Sequence, residues 1–284
     1  MRYRDKTDAK RSPEEHLKLE AQAHDEEYGR SLVEEDSLKF SKESMWRIND
    51  LPFKKGTYKR GRRKRRLYEL LDLERIDGKT VLEIGCGKGR DSVFFAMYGA
   101  RVSGFDISEV GIRVAKRTAE ANGVFDLCEF CVASATDMPY DDECFDVVII
   151  NAVLHHVLKY PHVREETYRI LKPGGTLYIS EGVRDNILYR ITRRCMRIVQ
   201  PRRYLGDVDV QLKDLRDFTE EYSEVHVEQF SLAEKFVEGI ARYKNNNGLV
   251  RIMFRCADIF DRLLLSVIPP LRRFCLEAVV VAKK

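Results

Sequence analysis

Residues 81–92, VLEIGCGKGRDS, set glycines at 85, 87 and 89 directly after the apolar run TVLEI (80–84) and directly before a helix-length segment. A glycine-rich turn at that junction bends a strand into a helix and opens the backbone to a ligand at the carboxyl edge of a sheet. Similar short apolar runs follow at 101–105, 127–133, 146–150 and 175–180, and helical crossovers are predicted at 90–98, 108–122 and 163–171. Strands alternating with helices specify an α/β fold with a parallel sheet covered on both faces. The last of these helices is expected to stop at Lys172-Pro173-Gly174-Gly175. SEVHVEQF (223–230) and FCLEAVVVAKK (274–284) read as two further strands, with helix and loop between them.

The glycine spacing separates two ligand classes. A dinucleotide loop reads G-x-G-x-x-G, whereas this one reads G-x-G-x-G and continues with Arg90. GFDIS (104–108) sets Asp106 at the tip of the second strand, 21 residues after Gly85, where a carboxylate can accept from a ribose diol. Asp106 as a helix cap is the plainer alternative, and Ser108 serves that role at least as well. SATDMPY (134–140) sets Asp137 just beyond the third strand, within reach of an exocyclic amine or within a merely acidic loop.

Taken in order, these motifs resemble the class I S-adenosylmethionine-dependent methyltransferases, and within them the small-molecule branch with the ubiquinone and menaquinone enzymes. The resemblance covers residues 78–182 and leaves the flanks unmatched. It implies a Rossmann-like seven-stranded sheet with its last strand antiparallel, and S-adenosyl-L-methionine as cofactor. It further implies that Glu83, Gly85, Gly87 and Gly89 surround the methionine half. Asp106 would hold the ribose and Ile107 would pack on the adenine. Asp137 would take the adenine amine, the Met138 backbone a ring nitrogen, and the Asn151 backbone carbonyl the methionine amino group.

Methyl transfer needs alignment and, for a protonated acceptor, a base. NAVLHHV (151–157) brings His155 and His156 to the rim of such a site, and His156 is the favoured base; alternatively one packs under the cofactor and the other is solvated. Asn-Ala-Val-Leu stands at 151–154 in place of the N-P-P-Y tetrapeptide of amide and exocyclic nitrogen methyltransferases, and there is no Pro-Cys dipeptide. A small-molecule acceptor is therefore expected, with nucleic acid disfavoured and oxygen as the methylated atom. The Glu-x-x-Glu-His metal pattern is only partly matched, so no metal is expected. Cys128 and Cys131 have redox-motif spacing, but on a strand they face opposite sides.

Charge adds two features. Residues 54–66 hold nine basic residues and no acid, and 184–203 hold seven arginines and one acid; the remainder of the chain, 34 basic against 45 acidic residues, carries −11. Such runs attract phosphate, lipid head groups or nucleic acid, or form solvated faces. We expect residues 1–77 to form a charged helical lid, with Tyr28, Trp46 or Tyr58 as wall residues. Residues 78–284 form the catalytic domain, with a helical insertion at about 233–272. That insertion and the arginine run suit an amphiphilic, anionic acceptor and a peripheral membrane contact. Fifteen charges in the first 30 residues argue against a secretory leader, and seven scattered cysteines against a disulfide scaffold, so a cytoplasmic location is expected. The rival readings are an RNA-modifying enzyme gripping phosphates with 54–66, and a non-catalytic cofactor-binding subunit.

Overall fold

The structure, a computed structural model, describes residues 12–29, 38–50, 61–160, 162–185, 208–233 and 248–284. Seven strands form one sheet: β1 (Thr80–Ile84), β2 (Arg101–Asp106), β3 (Cys128–Val132), β4 (Phe145–Asn151), β5 (Leu171–Gly182), β6 (Glu224–Phe230) and β7 (Glu277–Lys283). Their order is β3-β2-β1-β4-β5-β7-β6. β7 enters antiparallel between β5 and β6, and the first five strands are parallel to one another. The helices are α1 (Pro13–Gly29), α2 (Lys42–Asp50), α3 (Gly61–Leu71), α4 (Arg90–Ala96), α5 (Glu109–Ala121), α6 (Leu154–Val157), α7 (His162–Arg169), α8 (Leu212–Phe218) and α9 (Gly248–Val267).

Strand alternation divides the core into two layers. Leu82, Ile84, Val148, Ile150, Leu177 and Ile179 face α7 and α8, where Val163, Leu215 and Phe218 pack on them. Val81, Val147, Ile149, Tyr178 and Val279 face the other way, toward Leu67, Tyr68 and Phe94 of α3 and α4. Burying each such side chain contributes about 1.5–3 kcal/mol. The expected lid segment thus supplies core as well: α3 buries Leu67, Tyr68 and Leu71, and Trp46 of α2 joins the same layer. The Trp46 indole donates to the Tyr98 hydroxyl at 3.0 Å, and Trp46 does not line the cavity at the carboxyl ends of the strands. Tyr58 lies outside the described residues.

The stop signal at 172–175 acts differently from expectation. α7 ends at Arg169, and the Pro-Gly-Gly segment lies within β5. Phe145 pairs with Leu171 but Val147 pairs with Thr176, so the intervening residues bulge from the ladder, with Gly174 at φ 75°. Lys172 anchors the bulge through Asp146 at 3.0 Å.

Candidate active site

At the carboxyl ends of β1, β2 and β4, a cavity of about 210 Å³ is bounded by Ile84, Gly85, Asp106, Ile107, Asn151 and His156. Gly85 turns at φ 70°, in the left-handed region where a side chain is strained, and a Cβ there would lie 2.5 Å from a Val153 methyl. Gly89 is the residue before α4, and its backbone lies so close to α5 that a Cβ would stand 2.7 Å from the Ala115 Cβ.

Asp106 is held by the backbone on both oxygens. The Gly87 N–H donates to Oδ2 at 2.8 Å, and the Ser108 N–H to Oδ1 at 2.9 Å. Ser108, not Asp106, caps α5 by accepting from the Gly111 N–H at 2.9 Å. A carboxylate oxygen has two lone pairs, so one on each oxygen remains for a diol at the cavity wall. Burial raises the Asp106 carboxyl above its ordinary range, against those two N–H bonds.

Glu83 lies beneath the loop and is hydrogen-bonded by the Ser92 hydroxyl. Burial and the neighbouring Asp91 charge push its carboxyl up to about 8. For Asp91 the balance tips the other way: burial opposes its charge, but the Lys64 ammonium at 2.6 Å and the Tyr68 hydroxyl at 2.8 Å keep it below its ordinary range. Asn151 donates from Nδ2 to Asp91 at 2.9 Å, while its Oδ1 is buried with no partner.

The two histidines differ. His156 lines the cavity, and burial, with His155 and His24 nearby, pulls its pKa down to about 2, so the ring is neutral. His155 turns away, its Nδ1 3.0 Å from Glu181 Oε2. Burial opposes the Glu181 charge, yet His155 and Arg63 hold it well below the usual carboxylate range. An ionised carboxylate only accepts, so His155 Nδ1 carries the hydrogen.

Helix α1 roofs the cavity with Leu17, Glu20, His24, Glu27 and Tyr28. Glu20 pairs with Lys159 at 2.7 Å, and the His24 ring stands 5.6 Å from that of His156. A Cβ on Gly87 would meet the Tyr28 hydroxyl at 2.9 Å, so the roof sits directly on the glycine loop. Of the roof residues only Tyr28 is picked out by sequence; α1 is polar almost throughout, and nothing in its spacing marks Glu20 or His24 as cavity residues. Glu181 also escapes sequence reading, because it is one acid at the end of an apolar strand.

The other expected residues lie close by without lining the cavity. Asp137 is exposed just past Thr136, which does line it, and the Met138 side chain is buried in the core. Glu83, Gly87, Gly89 and His155 form the layer behind the wall. The basic run 54–66 is described only from Gly61. There, Lys64, Arg65 and Arg66 pair with Asp91, Glu69 and Glu228 at 2.6–2.9 Å, and Arg63 lies 3.8 Å from Glu181. The charges of Lys64, Arg65 and Arg66 are spent on the fold, which argues against a phosphate-gripping arm over residues 64–66. Residues 54–60, and 186–203 of the second run, lie outside the described residues.

Residues 82–179 match the methyltransferase domain family. The chain carries a class I S-adenosylmethionine-dependent methyltransferase domain. Over 106 residues it is 37% identical to a demethylmenaquinone methyltransferase of Clavibacter sepedonicus, covering 37% of this chain and 42% of that protein. Over 108 residues it is 33% identical to a phthiotriol/phenolphthiotriol dimycocerosates methyltransferase of Mycobacterium leprae, covering 37% and 38%. The matched stretch thus spans less than half the length of these relatives. Among solved structures, the methyltransferase domain fold resembles geranyl diphosphate C-methyltransferase of Streptomyces coelicolor, with a TM-score of 0.55, 18% identity and 78% of each chain covered. It also resembles the [4+2]-cyclase SpnF, with a TM-score of 0.53, 20% identity, and 81% and 84% covered. At these identities the likeness shows the fold alone, and the cyclase is a reminder that reaction is argued from the site.

The residues present fit S-adenosylmethionine. Asp106 keeps acceptor capacity for a diol, the glycine turn leaves backbone bare, and the unpartnered Asn151 Oδ1 is a buried acceptor suited to an ammonium group.

Proposed function

We propose that this protein transfers a methyl group from S-adenosylmethionine to a small or amphiphilic acceptor, and that the methylated atom is a hydroxyl oxygen. The observation that carries the reading is the Asp106 carboxylate, clamped by the Gly87 and Ser108 N–H groups at the wall of a roofed cavity. Bound there, the cofactor supplies an electrophilic methyl group on a sulfonium. The chain supplies the rest. Asp106 takes the ribose hydroxyls, Ile107 packs on the adenine, and Asp137 with the Met138 backbone reads its edge. Glu83, Asn151 and the glycine turn hold the methionine half.

A roof of α1 excludes water and fixes the approach of the acceptor. Neutral His156 can accept a hydrogen bond from an acceptor hydroxyl and orient its lone pair toward the methyl group. His155 acts behind it, fixed by Glu181.

An amphiphilic acceptor is supported by α9. Ile252, Ile259, Phe260, Leu263 and Val267 are each more than half exposed and recur at helical spacing, so they form one apolar stripe. Arg255 and Arg262 on the helix, and Arg272 and Arg273 beyond Pro269-Pro270, add positive charge around it. This arrangement suits the surface of an anionic bilayer. Among the described residues no helix is long and apolar enough to cross a membrane.

The deciding experiment is a calorimetric titration with S-adenosylhomocysteine, with NAD as the control. Micromolar binding of the first and none of the second is the expected result. Binding of NAD alone, or of neither, would overturn the reading.

A further inference from the structure

Arg63, in the first turn of α3, is 5% exposed, and its Nε and Nη2 have no hydrogen-bond partner. Those two atoms form the side of a guanidinium that donates two parallel N–H bonds to one oxyanion. Three residues on, Arg66 uses the same edge on Glu228, at 2.8 Å from Nε and 2.7 Å from Nη2. In Arg63 no group among the described residues takes that fork.

Glu181 does not fill it. The carboxylate takes the His155 Nδ1–H at 3.0 Å and the Gly182 N–H at 2.8 Å, and stands 3.8 Å from Arg63 Nη1, beyond hydrogen-bond length. Glu181 balances the charge of the guanidinium without satisfying its donors. Ser180 Oγ on β5, fully buried, is likewise without a hydrogen-bond partner among the described residues. Ser180 and Gly182 share one face of β5, and a Cβ on Gly182 would lie 3.4 Å from Arg63 Nη1. Ser180 in turn pairs in register with Asn151, which lines the cavity. Unsatisfied buried donors are costly and rare, so the two fork atoms of Arg63 and the Ser180 hydroxyl point to a ligand that completes them.

We propose that Arg63, with Ser180, forms an oxyanion subsite that holds a carboxylate or phosphate of the acceptor beside the cofactor cavity. This rests on the methyl-transfer reading for the word acceptor, but the subsite stands on the fork itself. Its place decides between the two anions available. The cavity is bounded by residues of β1, β2 and β4, and none of Ser180, Glu181 or Gly182 lines it. Arg63 therefore addresses the β5 flank, past Asn151, rather than the methionine half. An acidic or phosphorylated acceptor would dock there by its anionic end and turn its nucleophile toward the cavity.

The test uses the full chain saturated with S-adenosylhomocysteine, and inorganic phosphate as the probe. Phosphate should raise the melting temperature saturably, beyond chloride at equal ionic strength. Arg63→Lys keeps the charge but removes the fork, and should weaken phosphate about tenfold or more. Ser180→Ala should weaken it severalfold, and Arg66→Lys should leave it unchanged. S-adenosylhomocysteine affinity should stay within about twofold in Arg63→Lys, since a tenfold change corresponds to losing a whole interaction.

No saturable phosphate effect in the wild type would overturn the subsite, as would an effect that Arg63→Lys leaves intact. A tenfold loss of S-adenosylhomocysteine affinity in Arg63→Lys would overturn it too, by giving the fork to the cofactor carboxylate. Should the wild type fail to bind S-adenosylhomocysteine yet show Arg63-dependent phosphate binding, the methyl-transfer reading fails and the oxyanion site survives.

Discussion

Asp25 of α1 accepts hydrogen bonds from the Ser108 hydroxyl and, at 3.1 Å, from the Val110 N–H at the start of α5. One carboxylate thereby ties the roof of the cavity to the helix that follows the ribose-facing strand, and its charge suits a helix N-terminus. Replacing Asp25 with Ala should loosen α1 while leaving the sheet intact. Hydrogen exchange over 13–29 should speed up, and S-adenosylhomocysteine should bind about tenfold more weakly or worse, corresponding to the roughly 1.5 kcal/mol of one charge-assisted hydrogen bond. Unchanged exchange would mean that α1 is held by its other contacts, the Glu20–Lys159 pair among them.

Glu83 should couple ligand binding to pH. Burial and the Asp91 charge push its carboxyl up to about 8, against the ordinary 4.5. A cofactor ammonium placed beside it favours the ionised form and draws that value down. Binding then releases a proton, and S-adenosylhomocysteine affinity should rise between about pH 6 and 8. Calorimetry in buffers of different ionisation enthalpy reads the proton directly, and Glu83→Gln should abolish the release.

The adjacent histidines should separate stability from turnover. His155→Ala leaves buried Glu181 without its hydrogen-bonded histidine and should cost about 3–5 kcal/mol in denaturant melts. His156→Ala should cost less stability and lower kcat, with little change in cofactor affinity.

His156 also sets a pH dependence of its own. Unfolded, it binds a proton near 6.5; folded, only near 2. Below about pH 6.5 the unfolded state therefore takes up more protons, and stability falls as pH falls. His156→Phe should flatten that acid limb in thermal melts between pH 6.5 and 4. A limb of the same slope in the variant would assign it elsewhere.

The α9 stripe should respond to charge. Leu263, 63% exposed, and Phe260, 54% exposed, contribute little to the core. Leu263→Glu with Phe260→Glu should leave the melting temperature nearly unchanged and reduce flotation with phosphatidylglycerol vesicles. Equal flotation of wild type and variant would remove the bilayer reading, and a shift from dimer to monomer would mark the stripe as a contact between two copies.

Local order was largely written in the chain. TVLEI begins and ends where β1 does, and the boundaries of β2, β3 and β4 move by a residue or so, because buried parallel strands are continuous apolar runs closed by turn residues. Gly85, Asp106 and His156 could be placed from spacing, and Ile107 and Asn151 through the family resemblance, since each lies at or just past a strand end and the strand–helix alternation sends all these ends to one edge of the sheet. What spacing does not carry is which distant groups meet. The Pro-Gly-Gly stop became a bulge inside β5 because the ladder with β4 resumes beyond it. Three of the nine basic residues of a conspicuous run turned inward because Asp91, Glu181 and Glu228, remote in sequence, stand where α3 packs. A charge run looks the same on paper whether its partners are phosphates or buried carboxylates, and only tertiary packing, through desolvation and distance, decides which.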